Sequence, residues 1–516
     1  DETKPTLHGR GRPFAAPGQP LNSRAIRSDT GAVRLTIVVL FLMGAVPALL
    51  SRDGASAGPV RHRLIVLADM GNEPDEEQQM AHLLVSSNEF DVEGLIAVTG
   101  KYLRNETRAD LFLKLIGGYE QVAENLKLHA SGWPSPAHLR RVTAGGQPGY
   151  GTAAVGAGRS SDGSRLIVQA FEKDDPRPIC VVVNAGSNTL AQALLDYEAE
   201  HGAAATEAVI AKLRVFENGS QDNAGACISH RYPKIHWIRS NDQTYAWGGP
   251  GPERHDDGYL GPYVWEPYEN SIEGQNEWLK EHVMNNHGAL GMLYPERRFR
   301  NGRLGFIEGG GTAPWMALIN KGLADIDHPW WGGWSGRFSR QKVENFWSRH
   351  GDIKPDEYRF TPFRVYREVS DGWTDPETGI HYNNDDVPVW RWRRAMFNDM
   401  KARWDWCVKS YGEANHHPVA AIGQDRSNSI IRLKAQGGEA LEFDASASDD
   451  PDGDELAFSW WIYPEAGTYG GSVKIDGADQ ARARVFIPSG ADRALWEGGS
   501  KRPSAGQPNA PRTKPR

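Results

Sequence analysis

Short apolar runs alternate with stretches of helical periodicity from residue 61 to about residue 238, and this alternation narrows the possible folds more than any other feature. Arg63-Leu64-Ile65-Val66-Leu67-Ala68 is an apolar run closed by a turn, as a strand buried on both faces requires. Gln78 to Ser86 carries Met80, Leu83 and Leu84 at helical spacing; Val92 to Val98 is the next strand and Arg108 to Tyr119 the next helix. Ile179 to Val183, Leu213 to Phe216 and Ile235 to Ile238 continue the strands, with Thr189 to His201 a further helix. Such alternation predicts an α/β fold, a mainly parallel sheet with helices on both faces.

The rest of the chain has to be placed around that sheet, because 516 residues exceed one ordinary core. The expected organisation is an irregular leader over 1–60, the α/β domain over 61–412, a small all-β sandwich over 416–490 and an irregular tail over 491–516. Residues 240–410 are rich in Trp, Pro and Gly, so loops such as 247–268 are expected to decorate the sheet. Asn415 to Pro418 reads as a linker, and Ala440 to Phe443, Leu456 to Ile462 and Ala483 to Ile487 as sandwich strands.

In the leader, Leu35 to Leu50 is sixteen residues without a charge, behind Arg34. It is short for a membrane span and suits a signal peptide, with Ala55-Ser56-Ala57 as a small-residue cleavage site. The expectation is a secreted or periplasmic protein with no stable membrane span after cleavage; the alternative is an N-terminal anchor. A net charge of −8 supplies no basic field for phosphate backbones, which excludes nucleic acid as the expected partner. Three widely spaced cysteines, one of them Cys180 inside an apolar run, form neither a disulfide framework nor a zinc site.

Chemistry concentrates where strands hand over to helices, which is where open α/β sheets bind ligands. Asp69-Met70-Gly71-Asn72-Glu73-Pro74-Asp75-Glu76-Glu77 holds five acids in nine residues after the first strand. So many carboxylates cannot all stay ionised in a crevice without a cation or proton sharing, and calcium takes six to eight such oxygen ligands. The alternative is helix chemistry, since acids and Pro74 both suit a first helical turn. Asn184-Ala185-Gly186-Ser187-Asn188 follows a second strand, where Asn188 also suits a helix cap. Glu217 to Asp222 follows a third and holds Gln221 and Asp222. Pro329-Trp330-Trp331-Gly332-Gly333-Trp334 lacks any periodicity and reads as a loop; at least one of its Trp is expected to border the acid loop and stack on a sugar, unless all three only staple the loop to the core.

The segment from Leu67 to Glu76 resembles the Thr-Asp-x-Gly-Asn-Glu-Pro-Asp-Asp stretch of the nucleoside-hydrolase-like domain of bacterial cellulose-binding proteins. Tyr102-Leu103-Arg104-Asn105, Asp174-Asp175-Pro176-Arg177-Pro178, Asn188 to Leu194 and Trp331 to Phe338 match as well. Phe443 to Asp454, followed by Trp460 and Trp461, is similar to the polycystic-kidney-disease-type immunoglobulin-like sandwich; its Asp-Gly pair reads as a turn, with calcium binding by Asp449, Asp450, Asp452 and Asp454 the alternative. The resemblance implies a nucleoside-hydrolase-like fold, a Ca2+ ion held by Asp69, Glu73, Asp75, Glu76 and Asn188, and Asp69 or Asp75 as the catalytic carboxylate. It implies a carbohydrate or nucleoside-like ligand touched by Asn72, Asn105, Asn184, Asp222, Trp331 and Trp334. Three departures stand beside it: Asp75 lies six residues from Asp69, Glu76 replaces an aspartate, and Gly311 stands where a metal-binding aspartate is expected. Hydrolysis of an N- or O-glycosidic bond and non-catalytic binding of plant polysaccharide are the two functions that follow.

Overall fold

The computed structural model describes residues 33–39 and 61–489, apart from 220, 241–242, 245, 248–271, 299–300, 303, 306–308, 320, 346–358 and 377–378. The expectations for 1–32, 40–60 and 490–516, and for nearly all of the 247–268 loop, lie outside the described residues.

In chain order the strands are β1 (Val33–Val39), β2 (His62–Ala68), β3 (Phe90–Ala97), β4 (Thr143–Gly145), β5 (Ile179–Val183), β6 (Leu213–Asn218), β7 (His236–Ser240), β8 (Phe338–Asn345) and β9 (Arg359–Glu368). Eight of them form one sheet in the order β4-β3-β2-β5-β6-β7-β9-β8. Only β8 runs antiparallel to its neighbour. The helices that matter for the site are α1 (Pro74–Leu84), α2 (Ala109–His129), α3 (Pro136–Arg141), α4 (Asp162–Glu172), α5 (Asn188–Lys212) and α6 (Ala224–Arg231).

Strand β2 shows why the apolar runs are continuous rather than alternating. Leu64, Val66 and Ala68 pack on the α1–α2 side, while Ile65 and Leu67 pack on the α4–α5 side. Burying each Leu or Ile contributes about 1.5–3 kcal/mol, so a polar residue has no tolerated face in this strand. At its start, buried Arg63 is held by both oxygens of Glu93, at 3.0 and 2.9 Å.

Several elements depart from expectation. Helix α4, opened by a Ser161–Ser164 capping box, was not expected from the sequence. Residues 338–345 and 359–368, expected as loop decoration, instead extend the sheet. Their sequences mix Arg, Lys, Gln and Glu with isolated apolar residues, which suits an edge pair rather than a buried strand.

Beyond the sheet domain, the C-terminal region is largely antiparallel β. Ala440–Asp444, Arg482–Phe486 and Lys474–Asp476 form one sheet, and Trp460 of strand Leu456–Ile462 packs on it with Phe443, Ala483 and Val485. The Asp450–Gly453 turn is closed by a Gly453 amide to Asp450 carbonyl bond of 3.1 Å. The leader departs from its expected irregularity at β1, which pairs in parallel with Leu456–Ile462. Among the described residues no helix is long and apolar enough to cross a membrane.

Candidate functional site

All the parallel strands end on one edge, and the segments leaving β2, β3, β5 and β6 meet there. Asp69 leaves β2 in a tight turn closed by the Asn72 amide on its carbonyl, 3.2 Å. Gly71 makes that turn possible: its φ is +90°, and a Cβ there would lie 2.9 Å from Leu111 Cδ1. Pro74 then opens α1, placing Asp75, Glu76 and Glu77 in its first turn.

Asp69 is 1% exposed and its Oδ2 has no hydrogen-bond partner. Glu76 is also buried and accepts from Gln79 Nε2 at 3.3 Å, while the Gln79 carbonyl oxygen accepts the Trp315 indole N–H at 3.1 Å. Burial lifts the pKa values of Asp69, Asp75 and Glu76 above the usual carboxylate range. The Asp75 charge adds to the lift on Asp69, and Asp75 and Asp69 add to that on Glu76. Asp75, half-buried, is pushed up to about 6 by burial and then by Glu73, against the pull of Arg297.

The other strand ends close around this loop. After β3, a Cβ on Gly100 would sit 2.3 Å from Asp69 Oδ2 and 2.5 Å from Gln221 Oε1, so glycine alone lets the backbone pass. After β5, Asn184 is buried with its Oδ1 unpartnered, and its Nδ2 donates to the Gly311 carbonyl at 3.4 Å. After β6, Gln221 Oε1 accepts the Lys101 amide at 3.0 Å and its Nε2 donates to the Asn184 carbonyl at 3.2 Å. Asp69, Glu76, Asn184 and Gln221 thus converge at one strand-end crevice, with two buried oxygens, Asp69 Oδ2 and Asn184 Oδ1, unsatisfied among the described residues.

Several expected site residues have other work. Asp222 is fully buried and accepts the backbone amides of Asn188 (3.2 Å) and Ala224 (2.9 Å), capping α5 and α6 together. It serves helix amides, as strand-end acids do as readily as they serve ligands. Asn188 caps nothing with its side chain; its Nδ2 donates to Thr99 Oγ1 (3.2 Å) and the Gly149 carbonyl (2.7 Å), tying three strand-end loops together. Glu73 is exposed and lies 3.4 Å from Arg297, and Asn105 is exposed in the loop after β3. Asn72 is half-buried in the turn.

The Trp expectation is overturned. Trp331, 2% exposed, stacks on His328 at 4.3 Å between ring centres, and Arg432 covers its ring. Trp330 lies beside Tyr366, and the preceding Asp327 pairs with Arg214 at the amino end of β6. That segment therefore sits at the edge opposite the acid loop. Trp334 is buried in the core cluster of the α1–α2 side. A loop rich in glycine folds its large rings inward because their burial stabilises more than any single surface contact.

Sequence reasoning missed Gly100, Gln79 and Trp315. Gly100 carried a signal, a glycine directly after a strand; Gln79 and Trp315 carried none, being 236 residues apart. Asp69 Oδ2 and Asn184 Oδ1, with Glu76 beside them, are oxygens of the kind calcium takes. Three acid-loop carboxylates do not close to within 4.8 Å; among the described residues the trio that does is Glu172, Glu200 and His201, all exposed. Gly311 packs against the same group, and a Cβ there would lie 2.3 Å from Asn184 Nδ2.

Residues 63–338 match the family described as cellulose-binding Sde182, nucleoside hydrolase-like domain, and residues 440–499 match the Sde0182 cellulose-binding protein C-terminal domain. Among solved structures, the chain is similar to a nucleoside hydrolase-related hypothetical protein from Saccharophagus degradans that is associated with carbohydrate metabolism. The two are 35% identical with a TM-score of 0.70, over 84% of this chain and 93% of that one. An inosine-uridine preferring nucleoside hydrolase from Bacillus anthracis is much more distant, at 12% identity and a TM-score of 0.33, over 67% of this chain and 100% of that one. No curated protein matches the chain in sequence.

Proposed function

The chain belongs to the cellulose-binding Sde182 family with its nucleoside-hydrolase-like domain, and we propose from that premise that its strand-end crevice binds the glycosyl part of a carbohydrate or nucleoside-like ligand and hydrolyses an N- or O-glycosidic bond. The observation that carries this reading is the pair of buried, unsatisfied oxygens, Asp69 Oδ2 and Asn184 Oδ1, beside the buried carboxyl of Glu76. Unpaired buried acceptors are costly and call for a ligand that supplies protons or positive charge. Asp69, Asn184 and Glu76 are the residues that would hold Ca2+, which when bound supplies a Lewis acid for water and sugar hydroxyls.

The chain's own groups then have distinct tasks. Asp69, a stronger base than a free aspartate because it is buried, accepts the proton of the attacking water. Asn184 Oδ1 accepts from a sugar hydroxyl. Gln79, its amide fixed by Trp315, keeps Glu76 oriented toward the crevice. Asp75, at about 6, exchanges a proton with solvent near neutral pH.

A second reading, non-catalytic polysaccharide binding, is favoured by Gly311, which removes one acid from the crevice. Product analysis with nucleosides and cello-oligosaccharides in calcium separates the two. Turnover that Asp69→Asn abolishes supports hydrolysis; oligosaccharide binding without turnover supports the second reading. We place the protein outside the cytoplasm on the strength of the apolar run 35–50 and Ala55-Ser56-Ala57, and amino-terminal sequencing of exported protein tests this.

A further inference from the structure

Outside the crevice, a chain of three titratable groups joins the α/β domain to the C-terminal β region. His129 ends α2, His416 lies in the linker and Asp452 lies in the Asp450–Gly453 turn. His129 Nδ1 is 3.0 Å from His416 Nε2, and His416 Nδ1 is 2.8 Å from Asp452 Oδ1. His129 Nε2 lies 2.9 Å from the Lys409 carbonyl, and the His416 amide donates to the second Asp452 oxygen. The rings are stacked among Trp406 and Tyr411, with Tyr411 4.0 Å from His416.

Counting protons along this chain leaves little freedom. A carbonyl only accepts, so His129 Nε2 carries a hydrogen. Burial disfavours the charged form of His129, which leaves Nδ1 as the acceptor. His416 Nε2 must then donate to it. The Asp452 carboxylate also only accepts, so His416 Nδ1 must donate as well. Both contacts exist together only if the His416–Asp452 pair holds one proton more than a neutral imidazole and a carboxylate. Whichever partner carries it, the count is the same.

We propose that this extra proton fastens the C-terminal β region to the α/β domain, so that the attachment is pH-dependent. As pH rises the proton leaves, and one of the two contacts becomes lone pair against lone pair. In strong acid His129 gains a proton and Nδ1 turns from acceptor to donor, opening the other contact. The attachment is therefore tightest in a middle window. The other charged groups around the chain do not supply the proton. The Lys409 ammonium is engaged by Asp405 at 2.9 Å, Glu413 accepts from Ser410, and Arg403 lies beyond the Trp406 ring. His417, held neutral at about 3, neighbours Trp406.

Hydrogen exchange followed by mass spectrometry on the full chain tests this, with intrinsic exchange rates corrected for pH. Protection of peptides spanning 410–420 should fall on the order of tenfold between pH 6 and pH 9, the loss expected for one charge-assisted hydrogen bond. Protection of β2 should stay constant over the same range. His416→Gln should show the low protection at both pH values. Asp452→Asn, which keeps the volume, should do the same and serves if the first variant misfolds. Equal wild-type protection of 410–420 at the two pH values, or wild-type pH dependence in either folded variant, overturns the proposal.

Discussion

Asp222 offers a quantitative test of how the crevice is built. Its carboxylate accepts two helix-terminal amides, from Asn188 and Ala224, with no solvent exposure. Replacing it by Ala strands both donors, and a buried donor left unpaired costs about 1–3 kcal/mol, giving on the order of 2–6 kcal/mol for the pair. Its ionisation works against it. Burial pushes the carboxyl from 3.8 up to about 7, and one unit corresponds to about 1.4 kcal/mol. A folded value above the unfolded one means stability that is whole below about pH 4 and is lost as pH rises to about 7. Asp222→Asn keeps one acceptor and removes the titration. Denaturant unfolding of wild type, Asp222→Asn and Asp222→Ala at pH 5 and pH 8 reads both effects. The wild-type advantage over Asp222→Asn should shrink by roughly 2–3 kcal/mol between those values. Asp222→Ala should be clearly destabilised at pH 5. Parallel wild-type and Asp222→Asn stabilities refute the raised pKa, and an Asp222→Ala protein as stable as wild type refutes the capping role.

Other perturbations have defined outcomes. Gly100→Ala puts a methyl 2.3 Å from Asp69 Oδ2, so it should abolish ligand binding while circular dichroism shows a folded protein; unchanged binding would mean the crevice is wider than described. Trp331→Ala should lose about 3–5 kcal/mol of stability in denaturant melts, as a large buried side chain does, yet the folded fraction should bind oligosaccharide normally in calorimetry. Loss of binding without loss of stability would restore Trp331 to the ligand.

The parallel sheet was legible because its strands are buried on both faces and so write continuous apolar runs, as in Leu64 to Ala68. The strand-end position of Asp69, Asn184 and Gln221 followed directly from that. What a strand-end polar residue faces was not legible. Asp222 and Asn184 are both strand-end polar residues, and only packing turns one to helix amides and leaves an oxygen of the other unsatisfied. Strand β8 at the sheet edge and its neighbour β9 escaped notice because charged and polar residues break their apolar runs. The Trp331 loop misled for a related reason: lack of periodicity marks a loop but does not say on which sheet edge its rings are buried. Contacts such as Gln79 with Trp315 join distant parts of the chain, and no local pattern encodes them.

The most direct test of the crevice as a cation-dependent ligand site is calcium added to chelator-treated full chain, followed by thermal melting of wild type and Asp69→Asn. At a hundredfold excess over its dissociation constant a bound ion adds about 2.7 kcal/mol. Spread over the unfolding entropy of roughly 350 residues, this raises the wild-type midpoint by about 4 °C. Asp69→Asn should show no rise. Identical wild-type midpoints in calcium and in chelator, or an equal rise in Asp69→Asn, would contradict a cation at Asp69 and Asn184.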